Sequence, residues 1–211
     1  GSQVQEGNKC NKCGTDLSIF RRVERISNSY YNDGLEKANV RNLSGAIISL
    51  KQSLKFNKYN TKARNLLGLV YYEMGETVDA LSEWVISTNY SQKNNPASRY
   101  LEDVHSNKGQ LESLNQTIKK FNQALLYCKQ GSRDLAIIQL KKVLSLNPKL
   151  IKAYQLLGLL YIQENQLEKA KKTLKSAAKI DTDNTITLRY MQEVNRKMKE
   201  KSPNKKSKSE D

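Results

Sequence analysis

Apolar positions along this chain recur at steps of three and four residues rather than alternating, as in Leu111, Leu114, Ile118, Phe121 and Leu125. That period is the one an α-helix needs to gather its apolar side chains on one stripe. Three prolines, Pro96, Pro148 and Pro203, are all that could break long helices. The expected fold class is therefore all-α. One piece of the pattern is written twice: LLGLVYYEMGETVDAL from Leu66 returns as LLGLLYIQENQLEKAK from Leu156. The interval of 90 residues resolves into two steps of 34 and a remainder of 22.

Setting Gly68 against Gly158 aligns Leu67 with Leu157, Tyr71 with Tyr161, Ala80 with Ala170 and Trp84 with Leu174. A step of 34 back from Ala80 reaches Ala46, with Gly34 opposite Gly68 and Leu50 opposite Trp84. The same step from Ala170 reaches Ala136, and Ala124, Tyr127, Gly131, Leu140 and Pro148 fall on the frame. Four units result, 27–60, 61–94, 117–150 and 151–184, each expected to be a helix-turn-helix pair. Their anchors resemble the tetratricopeptide repeat family over these four units. The resemblance implies an α-solenoid of helix pairs winding into a right-handed superhelix with an inner groove. Small residues such as Gly68, set against Ala80, let paired helix axes approach, and Tyr71, Trp84, Tyr127, Tyr154 and Tyr161 are expected to fill the space around the crossings.

The remainder, residues 95–116, opens on Asn95-Pro96, a turn followed by a favourable first helical position. It should form a short helix to about Ser106, and the first helix of the third unit should start early, near Gln110. This is an inserted helical segment, read as a spacer, with a change in groove curvature as the alternative. After the fourth unit, residues 185–200 should form a C-terminal capping helix. It offers Ile186, Leu188, Met191 and Val194 to the array and turns Arg189, Glu193 and Lys197 to solvent.

Composition adds a field and a motif. Thirty-six Lys and Arg against 21 Asp and Glu give a net charge of +15, which favours acidic partners without choosing among nucleic acid, anionic lipid and peptide. No apolar run approaches the roughly 18 residues of a membrane-spanning helix. Cys10-Asn11-Lys12-Cys13-Gly14 has the form of a zinc knuckle, whose glycine permits the tight turn that aims two thiolates at one metal. A tetrahedral site needs four ligands, and neither His105 nor Cys128 stands at knuckle spacing. Cys10 and Cys13 are read as half of a metal site, with an incidental thiol pair as the alternative; a redox pair lacks its flanking strand and helix. No cofactor is required by the remaining sequence; a structural zinc is expected only in the full-length protein. Gly1-Ser2 reads as an expression remnant. The organisation is then 1–16 partial knuckle and flexible lead, 17–94 units 1 and 2, 95–116 insertion, 117–184 units 3 and 4, 185–200 cap, and 201–211 basic disordered tail.

No Gly-rich phosphate loop, His-Glu-x-x-His or Gly-x-Ser-x-Gly elbow is present, so the reading is of a non-enzyme. The resemblance implies a protein-interaction scaffold whose groove is lined by the first helix of each pair. Those positions are Asn28, Tyr31 and Leu35, then Lys62, Asn65, Leu69 and Tyr72, then Phe121 and Leu125, then Lys152, Gln155, Leu159 and Ile162. The partner expected there is a protein or peptide with apolar residues flanked by acids, not a small-molecule substrate. The alternative for these residues is a superhelix closed on itself, in which they pack against the insertion or a symmetry mate. Tyr31, Leu35 and Leu66 replace the Lys and Asn of repeats that clamp acidic chaperone tails. Knuckle, repeats and lysine-rich end together resemble bacterial proteins in which a zinc ribbon precedes the repeats and a basic linker enters a membrane span, which implies a cytoplasmic, membrane-anchored chain. The alternative is nucleic-acid or anionic-lipid binding through the basic surface and tail.

Overall fold

The computed structural model describes residues 9–10 and 13–201; the expected tail from 202 onward and the Gly1-Ser2 remnant lie outside them. Among the described residues there are ten helices: α1 Ser18–Asn39, α2 Leu43–Phe56, α3 Thr61–Glu73, α4 Thr77–Tyr90, α5 Pro96–Ser106, α6 Lys108–Lys129, α7 Arg133–Leu146, α8 Ile151–Gln163, α9 Leu167–Ile180 and α10 Thr185–Lys201. An isolated antiparallel bridge, Lys9 to Asp16, precedes them. The chain is an all-α helical repeat solenoid.

Local chemistry sets the helix ends. Asn42, Asn60, Asn95 and Asn107 cap α2, α3, α5 and α6 by accepting from Gly45, Ala63, Ala97 and Gln110 N–H, and Asn184 accepts from Thr187 N–H at the start of α10. Each cap satisfies an amide that the helix itself leaves unpaired. The first helix of each unit ends on a left-handed residue, Arg41, Gly75, Gly131 or Asn165, at φ of 60°, 77°, 75° and 58°. The next N–H then reaches back across the turn, Asn42 to Lys37, Glu76 to Tyr71, Ser132 to Tyr127 and Gln166 to Tyr161. This is the Schellman closure, and it recurs at the repeat step.

The crossings are tight. A Cβ on Gly34 would come 2.7 Å from Leu50, one on Gly68 2.2 Å from the Trp84 Nε1, and one on Gly158 2.7 Å from Leu174. Gly68 thus lies under the Trp84 ring, one helical turn beyond the Ala80 that the sequence frame sets against it. Trp84 is buried between Tyr72 and Tyr100, with centroids at 5.9 and 5.2 Å, so α5 packs on unit 2 as a further first helix without a second. The front of α6 continues the insertion, and the boundary at residues 116 and 117 falls inside this single helix. Unit 1 likewise begins inside α1, which starts nine residues earlier.

The cap α10 forms with Met191 and Val194 inward as expected, but its buried face is rotated away from Ile186 and Leu188. Thr187 and Val194 are fully buried and Tyr190, Met191 and Met198 pack on the core of units 3 and 4. Ile186 and Leu188, expected inward, are 51% and 39% exposed. Asn184 and Gln155 hold Thr187 inward, by contacts of 3.2 and 3.0 Å to its hydroxyl, and that rotation puts Ile186 and Leu188 on the flanks.

Closure of the array on itself is not visible in the repeat frame. One buried cluster joins Leu43, Leu50, Leu67 and Met74 of units 1 and 2 to Ile151 and Ala177 of unit 4. Polar contacts seal its edges: Thr182 N–H donates to the Arg41 carbonyl at 3.0 Å, Leu43 N–H to the Asp181 carboxylate at 2.9 Å, and Ile151 N–H to the Met74 carbonyl at 3.3 Å. The insertion turns the second half back until it meets the first.

Candidate functional site

Closure sends the expected groove residues to separate places. In unit 1, Asn28 accepts from the Asn60 amide at 3.3 Å, Tyr31 packs against the Leu43–Met74 cluster, and Leu35 is 36% exposed. In unit 2, Lys62 is exposed. Asn65 donates to Asn95 at 2.8 Å, and its backbone carbonyl accepts the Trp84 indole N–H at 3.2 Å. Leu69 packs in the Trp84 cluster. The Tyr72 hydroxyl accepts from Gln110 at 2.6 Å, and Lys149 sits 5.8 Å from its ring. Tyr72 thereby ties unit 2 to the front of α6.

In the second half, Gln155 is buried and donates to Asn184 and Thr187 at 2.7 and 3.0 Å, which makes it part of the cap's seat. Lys152 pairs with Glu76 of the first half at 2.9 Å. Burial pushes the Glu76 carboxyl up while the Lys152 ammonium pulls it back. Phe121 and Lys152 line a recess of about 180 Å³ against residues 75–79. Leu125 is exposed.

Leu159 and Ile162 share a wider feature. With Gln163 they form one wall of an open cleft of about 800 Å³ whose other wall is α10, through Arg189, Tyr190, Glu193, Arg196 and Lys197. Ile162 is buried and Leu159 and Tyr190 are half-buried, whereas Arg189 and Arg196 are exposed. Arg196 is held by Glu193 at 2.8 Å and Glu200. Arg189, Glu193 and Lys197 were read from sequence as the solvent face of a cap, and Tyr190 and Arg196 were not singled out; the shared spacing of Arg189, Glu193, Arg196 and Lys197 is the signal that would have placed them on one stripe beside α8.

At the amino end, Cys10 N–H donates to the Thr15 carbonyl and Gly14 N–H to the Cys10 carbonyl, both at 2.8 Å, with Gly14 at φ of 70°. The turn thus brings the two thiols together. Contacts from Thr15, first with its hydroxyl and then its backbone, and from Cys10 hold the Cys13 thiol below its ordinary range, which favours the thiolate a metal would need. No third or fourth His, Cys, Asp or Glu joins them among the described residues. Cys128 is elsewhere, on α6, its thiol pushed up by burial. Because none of the three buried clusters includes Cys10 or Cys13, chelator should leave the far-ultraviolet helical signal and the melting temperature of the chain unchanged. A large loss of helicity would show that metal carries the fold.

Residues 127–191 match the model of the tetratricopeptide repeat family. Among solved structures, a MamA protein is 24% identical with a TM-score of 0.37, over 75% of this chain and 93% of that one. PilF of Pseudomonas aeruginosa is 16% identical with a TM-score of 0.36, over 85% and 72%. YrrB, described as a repeat protein with an unusual peptide-binding site, is 19% identical with a TM-score of 0.38, over 83% and 98%. No curated protein sequence matches the chain.

Proposed function

We propose that this tetratricopeptide-repeat chain is a non-catalytic scaffold that holds a segment of another protein in the cleft between α8 and α10. The observation that carries the reading is the cleft itself: about 800 Å³, lined by buried Ile162 and half-buried Leu159 and Tyr190 together with the charged Arg189, Glu193, Arg196 and Lys197. Apolar floors with a charged rim are the general plan of protein recognition sites, in which a few buried anchors carry most of the affinity. The partner segment is one with apolar residues flanked by acids, its carboxylates meeting Arg189, Arg196 and Lys197. Attachment to a membrane and a zinc ribbon completed by a second cysteine pair belong to the same proposal. No helix among the described residues is long and apolar enough to cross a membrane.

The test is capture of a partner from the source cell with the whole chain as bait, followed by calorimetric titration. Leu159→Ala with Tyr190→Ala should weaken binding by about 1–4 kcal/mol while the helical signal is retained. A folded double variant with full affinity would move the partner off this cleft.

A further inference from the structure

The α3–α4 turn, residues 73–76, sits against the corner where the α7–α8 turn enters α8. The Met74 carbonyl accepts from Ile151 N–H at 3.3 Å, one of the amides at the start of α8 that no carbonyl of its own helix serves. The Gly75 carbonyl accepts from the Asn147 side chain at 2.9 Å. Glu73 pairs with Lys149 at 2.7 Å on one side and Glu76 with Lys152 at 2.9 Å on the other. Gly75 has φ of 77°, and a Cβ there would lie 2.5 Å from the Leu150 backbone nitrogen. The approach is backbone on backbone, and glycine alone permits it.

Two carboxylates three residues apart thus meet two lysines three residues apart, while side-chain and backbone N–H groups receive the carbonyls between them. These are the contacts of a bound peptide, supplied by the chain itself from more than 70 residues away in sequence. The corner is not filled. Recesses of about 190 and 180 Å³ flank the turn and share Gly75, Thr77 and Thr117 as walls.

We infer that residues 73–76 are a resident ligand of this corner, and that an acidic partner segment with two carboxylates spaced to meet Lys149 and Lys152 binds there by displacing them and opening the ring. The identity of the displacing segment rests on the scaffold reading; the closure itself does not.

Small-angle scattering on the full chain tests closure with no partner present. Lys152→Glu, which sets like charges against each other, should enlarge the radius of gyration, and adding Glu76→Lys should restore it. Gly75→Ala should enlarge it as well, whereas Gly131→Ala, at the same turn position with φ of 75° and nothing within 4 Å, should not. A synthetic peptide of residues 72–79 should bind the Gly75→Ala chain at least tenfold more tightly than the natural chain. An unchanged radius in both Lys152→Glu and Gly75→Ala overturns closure. Equal or absent peptide binding to an expanded chain overturns the resident-ligand assignment, and the α8–α10 cleft keeps its own separate test.

Discussion

Valine in place of Gly68 should destabilise the chain by about 3 kcal/mol or more, the upper end of what overpacking costs. The first added atom already collides: a Cβ at this position would lie 2.2 Å from Trp84 Nε1 and 2.6 and 2.8 Å from two further atoms of the indole. Trp84 cannot yield, because it is 2% exposed, stacks near Tyr72 and Tyr100, and donates its N–H to the Asn65 carbonyl. Any helix propensity gained by removing a mid-helix glycine, roughly 1 kcal/mol, is smaller than the clash. Against a total stability of about 5–15 kcal/mol the loss should be visible as a lower midpoint in urea. Trp84 is the single tryptophan, so its emission reports the same site directly. Gly109→Ala is the control, since a Cβ there would have only Asn107, at 3.5 Å, for a neighbour. An unshifted midpoint for Gly68→Val would mean that the crossing is looser than this geometry.

What the sequence makes legible is what repeats. Gly34, Gly68 and Gly158 stand on one frame because each must pass a large side chain of the paired helix, and Leu50, Trp84 and Leu174 stand on it for the same reason. A crossing is a local contact between helices joined by a short turn, so a fixed spacing records it. The cap was legible as a helix but not in its rotation. Its buried face is decided by Thr187, a polar residue that fits inside only because Gln155 and Asn184 bond to it, and a hydrophobic count favours Ile186 instead. The closure stood only as an alternative to an open groove, and the contacts that make it were not legible. Lys149, Asn147 and Glu76 look like ordinary turn residues and Lys152 like a groove position, and they become partners only because a 22-residue insertion, which is itself off the frame, redirects the second half. Groove assignment by family position failed to anticipate Gln155 and Lys152 in structural roles for that reason: it assumes an array continuing in one direction, with its inner face open.

Replacing Asp181 by alanine should cost about 2–4 kcal/mol, more than its place in the turn between unit 4 and the cap suggests. The carboxylate is fully buried. One oxygen accepts from Leu43 N–H at 2.9 Å, and the other from Ser44 N–H at 3.2 Å and from the Asn184 side chain at 3.1 Å. Leu43 and Ser44 are the first two residues of α2, so an acid from the end of unit 4 sits on the positive end of a helix in unit 1. Hydrogen bonds to a charged group are worth about 1.5–3 kcal/mol, and a buried N–H left without a partner costs about 1–3 kcal/mol; part of this is recovered if water enters. Asp181→Asn keeps one acceptor and should lose less. Asp183→Ala, two residues on and exposed, should change the stability little. Hydrogen exchange gives the sharper reading: the Leu43 amide should lose protection in Asp181→Ala beyond what the drop in global stability accounts for, because its acceptor lies on the other half of the ring. If that amide keeps its protection while the chain is destabilised, Asp181 supports only its own turn, through Asn184, and does not hold the two halves together.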